Sequence, residues 1–202
     1  KEGDSDSPDK EKGEEQELQK QQEQQAKEEA VEFAAALAEE IGDGSVEVET
    51  DGKKIIIRIK EKGAFDSGSA ELKFESIPVL AKIRDVLLDV KGTVAIEGHS
   101  DNIPYGGRRY ESNWDLSVAR ALAVGHEFFG DPRIDQSRFK VLGYADTKPL
   151  VPNTSRENRI KNRRVEIIVQ KGKDKESLEK IKATKEGDPD SLLLNLTPNE
   201  IF

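Results

Sequence analysis

The sequence predicts an α+β two-layer sandwich, a mixed β-sheet with helices packed on one side. Three observations carry this expectation. Short β-like runs recur at 45–60, 93–97, 138–142 and 164–170. Stretches at 77–90 and 113–129 instead repeat their apolar residues every three or four positions, the period of a half-buried helix. The resulting order is β-hairpin, helix, strand, helix, strand, short helix, strand, an alternation that suits a sheet covered on one face.

Each element has its own warrant. Ala30, Phe33, Ala34, Leu37, Ala38 and Ile41 form one stripe, so a docking helix is expected from about Lys27 until Gly42-Asp43-Gly44 ends it. Asp51-Gly52 separates Ser45–Thr50 from Lys53–Lys60 and suits a type I′ hairpin turn. Ile55, Ile57 and Ile59 share one face of that hairpin, and Ile56 faces the other way. Residues 62–69 read as a loop, followed by a turn or short helix over Ala70–Phe74. A helix then covers about Ile77–Val90, with Pro78 in its first turn, where a missing N–H costs least.

After Gly92 come the strand Thr93–Glu97 and a helix over Asn113–Phe129, capped by Ser112 or Asn113. Gly130-Asp131-Pro132 closes that helix. Arg138–Leu142 reads as a strand, Ser155–Asn162 as a short polar helix, and Arg164–Gln170 as the last strand. Four segments result: an acidic, Gln-rich linker (1–26), disordered or helical; a docking helix and hairpin (27–60); the core domain (61–170); and a charged tail (171–202) with apolar residues at Leu192–Leu194 and Leu196.

Charge and composition narrow the function classes. The net charge is −9, but the first 30 residues hold 11 acids against five bases, so the core is nearly neutral and bulk attraction to nucleic acid is not expected. Cys is absent, which excludes disulfides and thiolate metal sites. Met is absent as well, and the chain opens on Lys1, which points to a processed protein or a fragment.

The chemistry concentrates between Gly98 and Arg120. Asp101 lies just past the carboxyl end of a strand and Arg120 two turns into the next helix, where open α/β sheets form ligand crevices. Asn113, Leu116, Ser117 and Arg120 share one helical face, and the helix N-terminus favours an anion. Such a pair suits an amino-acid zwitterion: an acceptor for an ammonium and a planar fork for a carboxylate. On spacing alone, an internal Asp101–Arg120 salt bridge stands equally open.

His99 and Asp101 are not expected to form an enzyme site. The other histidine, His126, lies mid-helix, no further metal-ligand pair accompanies them, and no Gly-x-Ser-x-Gly elbow occurs. His99 is expected to hydrogen-bond the loop backbone, and no metal or cofactor is expected. The basic cluster Arg156, Arg159, Lys161, Arg163 and Arg164 runs into the last strand, so at least one of these arginines is expected at the crevice.

Four ordered motifs, Gly98-His-Ser-Asp-Asn, Ser112-Asn-Trp-Asp-Leu-Ser-Val-Ala-Arg-Ala, Gly143-Tyr-Ala-Asp-Thr-Lys-Pro and Asn158-Arg-Ile-Lys-Asn-Arg-Arg-Val-Glu-Ile, resemble the OmpA-like peptidoglycan-binding domain over residues 60–170. The second and third look specifically like flagellar motor stator B subunits of MotB or PomB type. The resemblance implies that the site holds the diaminopimelate-containing stem peptide of peptidoglycan, with Asp101 on the amine and Arg120 on the carboxylate. It places Phe65-Asp66 in a loop lining the site and Asn113, Leu116, Arg159 and Arg164 at further motif positions. It also implies a homodimer, a stator A subunit and flagellar basal-body ring proteins as partners, and a periplasmic location behind a membrane helix preceding Lys1. A passive outer-membrane tether of OmpA or lipoprotein type is the alternative. The segment Ile103–Glu111 is longer and more basic than in minimal outer-membrane members.

Overall fold

The computed structural model describes residues 8–172. Five strands form one sheet in the order β1-β2-β5-β3-β4, where β1 is Val46–Asp51, β2 Lys54–Lys60, β3 Thr93–His99, β4 Phe139–Gly143 and β5 Arg164–Gln170. β5 is antiparallel to both of its neighbours, and β3–β4 is the parallel pair, joined through the crossover helix α5. The helices are α1 (Pro8–Ala36), α2 (Ala38–Gly42), α3 (Glu61–Ala64), α4 (Ser76–Asp89), α5 (Asn113–Phe129) and α6 (Arg156–Asn162). α1, α4 and α5 pack on one side of the sheet, which gives the α+β sandwich that alternation predicts.

Strand parity sorts the two sheet faces. Ile55, Ile57 and Ile59 pair with Val169, Ile167 and Val165, and Val94 and Ile96 continue the rows, all of them buried under the helices. The intervening residues Arg58, Glu166 and Glu97 form a charged row on the other face. α4 contributes Leu80, Ile83 and Leu87 to the core, and α5 contributes Ala121, Val124 and Phe128, the three- and four-residue spacing of an amphipathic helix.

Several local expectations shift. α1 begins far upstream of Lys27, and Ala26, Phe33 and Leu37 are fully buried, so the Gln-rich stretch supplies a core residue. Its polar surface holds together through hydrogen bonds one turn apart, Gln24 to Glu28 and Gln25 to Glu29, both at 2.9 Å. Asp51 pairs with Lys54, so Gly52 and Lys53 form the turn and Gly52 alone takes positive φ (+54°); this departs from type I′, which needs positive φ at both central residues. Glu61–Ala64 is a helical turn rather than loop. β4 starts at Phe139, because Arg138 ends a 3-10 turn and donates to the carbonyls of Leu87 and Gly92 at the end of α4 and just beyond it. The expectations for the tail beyond Gly172 lie outside the described residues.

The topology converges on one edge of the sheet. β2 and β3 end there and β5 begins there, since Lys60 and His99 both pair with Arg164. Residues just past those strand ends, Glu61, Asp101 and Arg163, are therefore neighbours despite their distance in sequence.

Candidate ligand-binding site

Close packing sets α5 against this edge. A Cβ on Gly98 would lie 1.9 Å from the Ser117 carbonyl, so only glycine lets the helix backbone rest on the end of β3. Ser112 caps α5, its hydroxyl accepting from the N–H groups of Trp114 and Asp115. Asn113 then reaches back, donating to the carbonyls of Asp101 (3.2 Å) and Ile103 (2.8 Å) and fixing the loop that carries the acid.

Asp101 and Arg120 do not pair with each other. Arg120 Nη2 donates to Glu61 Oε1 at 2.6 Å, and Arg163 Nη1 donates to Asp101 Oδ2 at 2.5 Å. Arg163 Nε also bonds Glu61 Oε2, so the four groups form one chain, Asp101–Arg163–Glu61–Arg120. Burial opposes the charged form of Arg163, and its bonds with Asp101 and Glu61 outweigh that, holding its pKa above the ordinary arginine value. The chain contains two acids and two bases and neutralises itself. It borders a cavity of about 400 Å³, also lined by Asn113, Leu116 and Tyr105.

Arg120 is only 2% exposed. Its Nε donates to the Ser69 carbonyl at 2.8 Å, and its guanidinium lies 5.3 Å from the centre of the Phe65 ring, so the fork is held on three sides. Asp101 is fixed equally well, since its Oδ1 accepts from the Ile103 N–H at 2.9 Å. An acid and a base each held rigidly at one cavity can receive the two ends of a zwitterion without reorganising.

Four of the eight residues expected at the site line the cavity, Asp101, Arg120, Asn113 and Leu116, and Phe65 is buried behind the Arg120 guanidinium. Asp66 contributes its carbonyl to Arg120 at 3.4 Å, but its carboxylate is 83% exposed and faces Lys73. Arg159 turns away and donates to the Asn153 carbonyl. Arg164 lies on the opposite face of the sheet, bonded to Glu166 at 2.7 Å. Arg163 takes the place expected for these two arginines. Arg163 is the member of the basic cluster that reaches the crevice, and Glu61 is the residue that sequence reasoning missed, although strand period could have suggested both. Glu61 continues the parity of Ile55, Ile57 and Ile59 toward the helix side, and Arg163 has the parity opposite to Arg164.

On that opposite face, Glu97, His99 and Glu166 bring one ligand atom each within 4.8 Å, the one such metal-donor set among the described residues. Its chemistry does not suit a divalent cation, because Glu166 Oε1 already receives Arg58 Nε at 2.9 Å and Arg164 Nε at 2.7 Å. Burial favours a protonated Glu166, but Arg164 and Arg58 override it and hold its pKa below the ordinary glutamate value. His99 does not hydrogen-bond the loop backbone as expected. Neither ring nitrogen has a hydrogen-bond partner, and the ring stacks on Tyr144 with Nε2 3.7 Å from Glu97.

Residues 64–163 match the OmpA family. Motility protein B of Bacillus subtilis is 34% identical over 125 residues, which covers 61% of this chain and 48% of that protein. A MotB-like protein from Desulfovibrio vulgaris superposes with a TM-score of 0.70 at 28% identity, covering 76% of this chain and 98% of the other. The chain carries an OmpA-family domain of the MotB type. The cell wall anchor of the T6SS from Pseudomonas aeruginosa is also similar, with 41% identity and a TM-score of 0.63 over 68% of this chain and 96% of that one. The chain spans about half the length of the curated relatives it matches. Glu61 lies just before the matched region and Arg163 is its last residue, so the charge chain straddles the family boundary. Among the described residues no helix is long and apolar enough to cross a membrane.

Proposed function

We propose that this chain is a non-catalytic wall anchor: its OmpA-family domain holds the diaminopimelate-containing stem peptide of peptidoglycan and braces an ion-driven flagellar stator against the wall. The observation that carries this reading is the pair of buried charge poles, Asp101 and Arg120, each held by its own partner at one cavity. An ammonium fits the first pole and a carboxylate the second, which is the chemistry of the free end of diaminopimelate. The near-neutral core and the self-neutralised site favour a zwitterion over a polyanion.

In this reading the chain works in the periplasm as part of a single-pass inner-membrane protein. It pairs with a second copy, with a stator A subunit and with basal-body ring proteins, and the acidic N-terminal stretch serves as its linker. Arg120→Ala and Asp101→Asn are each expected to abolish co-sedimentation with purified peptidoglycan, and wild-type sedimentation by either folded variant overturns the site. The 41% identity to a T6SS anchor favours one other reading, a wall anchor for a different envelope machine. Deleting the gene separates the two, since loss of swimming is expected for a stator and unchanged swimming for the other machine.

A further inference from the structure

The segment from Ile103 to Glu111 leans over the cavity. Its base is pinned by Asp101 and Asn113 as described, and its far end is tied to the Ser69–Glu71 segment, where Arg109 Nη1 meets Glu71 Oε1 at 2.6 Å. Between these ties Tyr105 is half-buried, packed edge-on against Tyr110 with ring centres 5.4 Å apart. Its ring folds back over Gly107 and faces Gly68, where an added Cβ would come within 3.4 Å of the ring.

The cavity is therefore two-sided. Its floor is the charge chain, and its wall is an aromatic ring flanked by glycine backbone at 68, 106 and 107. Its volume of about 400 Å³ lies within the ~300–1,000 Å³ that holds a drug-sized ligand, more than one amino-acid head group fills. A flat ring beside bare backbone suits a peptide main chain with small side chains, because glycine allows close approach and the ring packs without demanding a charge.

We propose that Tyr105 and the facing Gly68 form a peptide subsite beside the charged clamp, taking the main chain of the stem-peptide residues attached to the diamino acid. This rests on the stem-peptide reading above and adds a residue that sets how much of the peptide is read. The clamp supplies recognition of the zwitterion, and Tyr105 supplies the preference for a peptide over the free diamino acid.

Titration calorimetry with two probes tests it: free meso-diaminopimelate, and a tripeptide ending in meso-diaminopimelate. The wild-type chain is expected to bind the tripeptide about tenfold more tightly than the free diamino acid, the factor one well-packed aromatic contact supplies. Tyr105→Ala should erase that advantage, with an unchanged circular-dichroism spectrum and Tm showing that the variant is folded. Tyr105→Phe should keep the advantage, since the ring makes the contact. Equal binding of both probes by the wild type, or wild-type tripeptide affinity in Tyr105→Ala, overturns the subsite. Binding of neither probe by the wild type, or of both by Arg120→Ala as well as by wild type, overturns the stem-peptide reading itself.

Discussion

Two chains of alternating charge occupy the two faces of this sheet, and they differ in what they border. On the helix side, Asp101–Arg163–Glu61–Arg120 opens on a cavity. On the other side, Glu49, Arg58, Glu166 and Arg164 are linked in the same acid–base order, with Glu49 2.7 Å from Arg58. Tyr144 stacks on His99 beside this second chain, and the Lys148 carbonyl accepts from Arg164. The residue types are the same, so charge content does not distinguish a binding site from a structural bridge. The chain on the helix side is the one that borders the cavity of about 400 Å³. Arg163 and Arg164 are adjacent in sequence, and a one-residue change in strand parity sends them to opposite faces.

Substitutions can break this contrast. The largest effect is expected for Arg163→Ala, which removes a cation shared by two buried acids. Breaking a buried ion pair costs ~3–5 kcal/mol, and because the Arg163 side chain is 27% exposed, a loss of about 2–3 kcal/mol is expected by chemical denaturation, with peptidoglycan binding reduced at least about tenfold. Arg164→Ala should cost about 1–2 kcal/mol, since Glu166 keeps Arg58 as a partner. The folded fraction of that variant should co-sediment with peptidoglycan as wild type does. If Arg164→Ala impaired binding as Arg163→Ala does, the two chains would not be functionally separate.

Acid sharpens the comparison further. The pKa of Glu166 is depressed in the fold relative to its ordinary value of 4.5, so its contribution is fully present above about pH 4.5 and is lost as pH falls through the depressed folded value. Glu166→Gln should therefore flatten part of the fall in Tm that calorimetry records for the wild type below about pH 4.5, without changing peptidoglycan binding at neutral pH. The smallest effect is expected at Asp66. Its carboxylate points to solvent, so Asp66→Ala should leave co-sedimentation within about twofold of wild type, as surface changes usually do.

Much of the fold was legible because local patterns decide it. The 3.6-residue repeat of α5 and the β-like run of β5 predicted their bounds, Asn113–Phe129 and Arg164–Gln170. The start of α1 was not legible, because Gln, Glu and Lys are helix formers without an apolar stripe, and only contact with the core shows that Ala26 is buried. The hairpin turn shifted by one residue for a similar reason: cross-strand pairing sets the register, and Asp-Gly alone is compatible with two alignments.

The site divides in the same way. Asp101 and Arg120 could be named from their places at a strand end and on a helix face, because those positions are set by local periodicity. Which charges pair with them could not. Glu61 and Arg163 lie 102 positions apart, and they meet because β5 inserts between β2 and β3 and carries its first residues to the edge where those strands end. Sequence by itself determined the element types, the spacing of polar positions within each element and the two candidate poles, Asp101 and Arg120. Tertiary structure alone decided which charges neutralise which, since that depends on strand order and on burial, where an unpaired charge is too costly to persist.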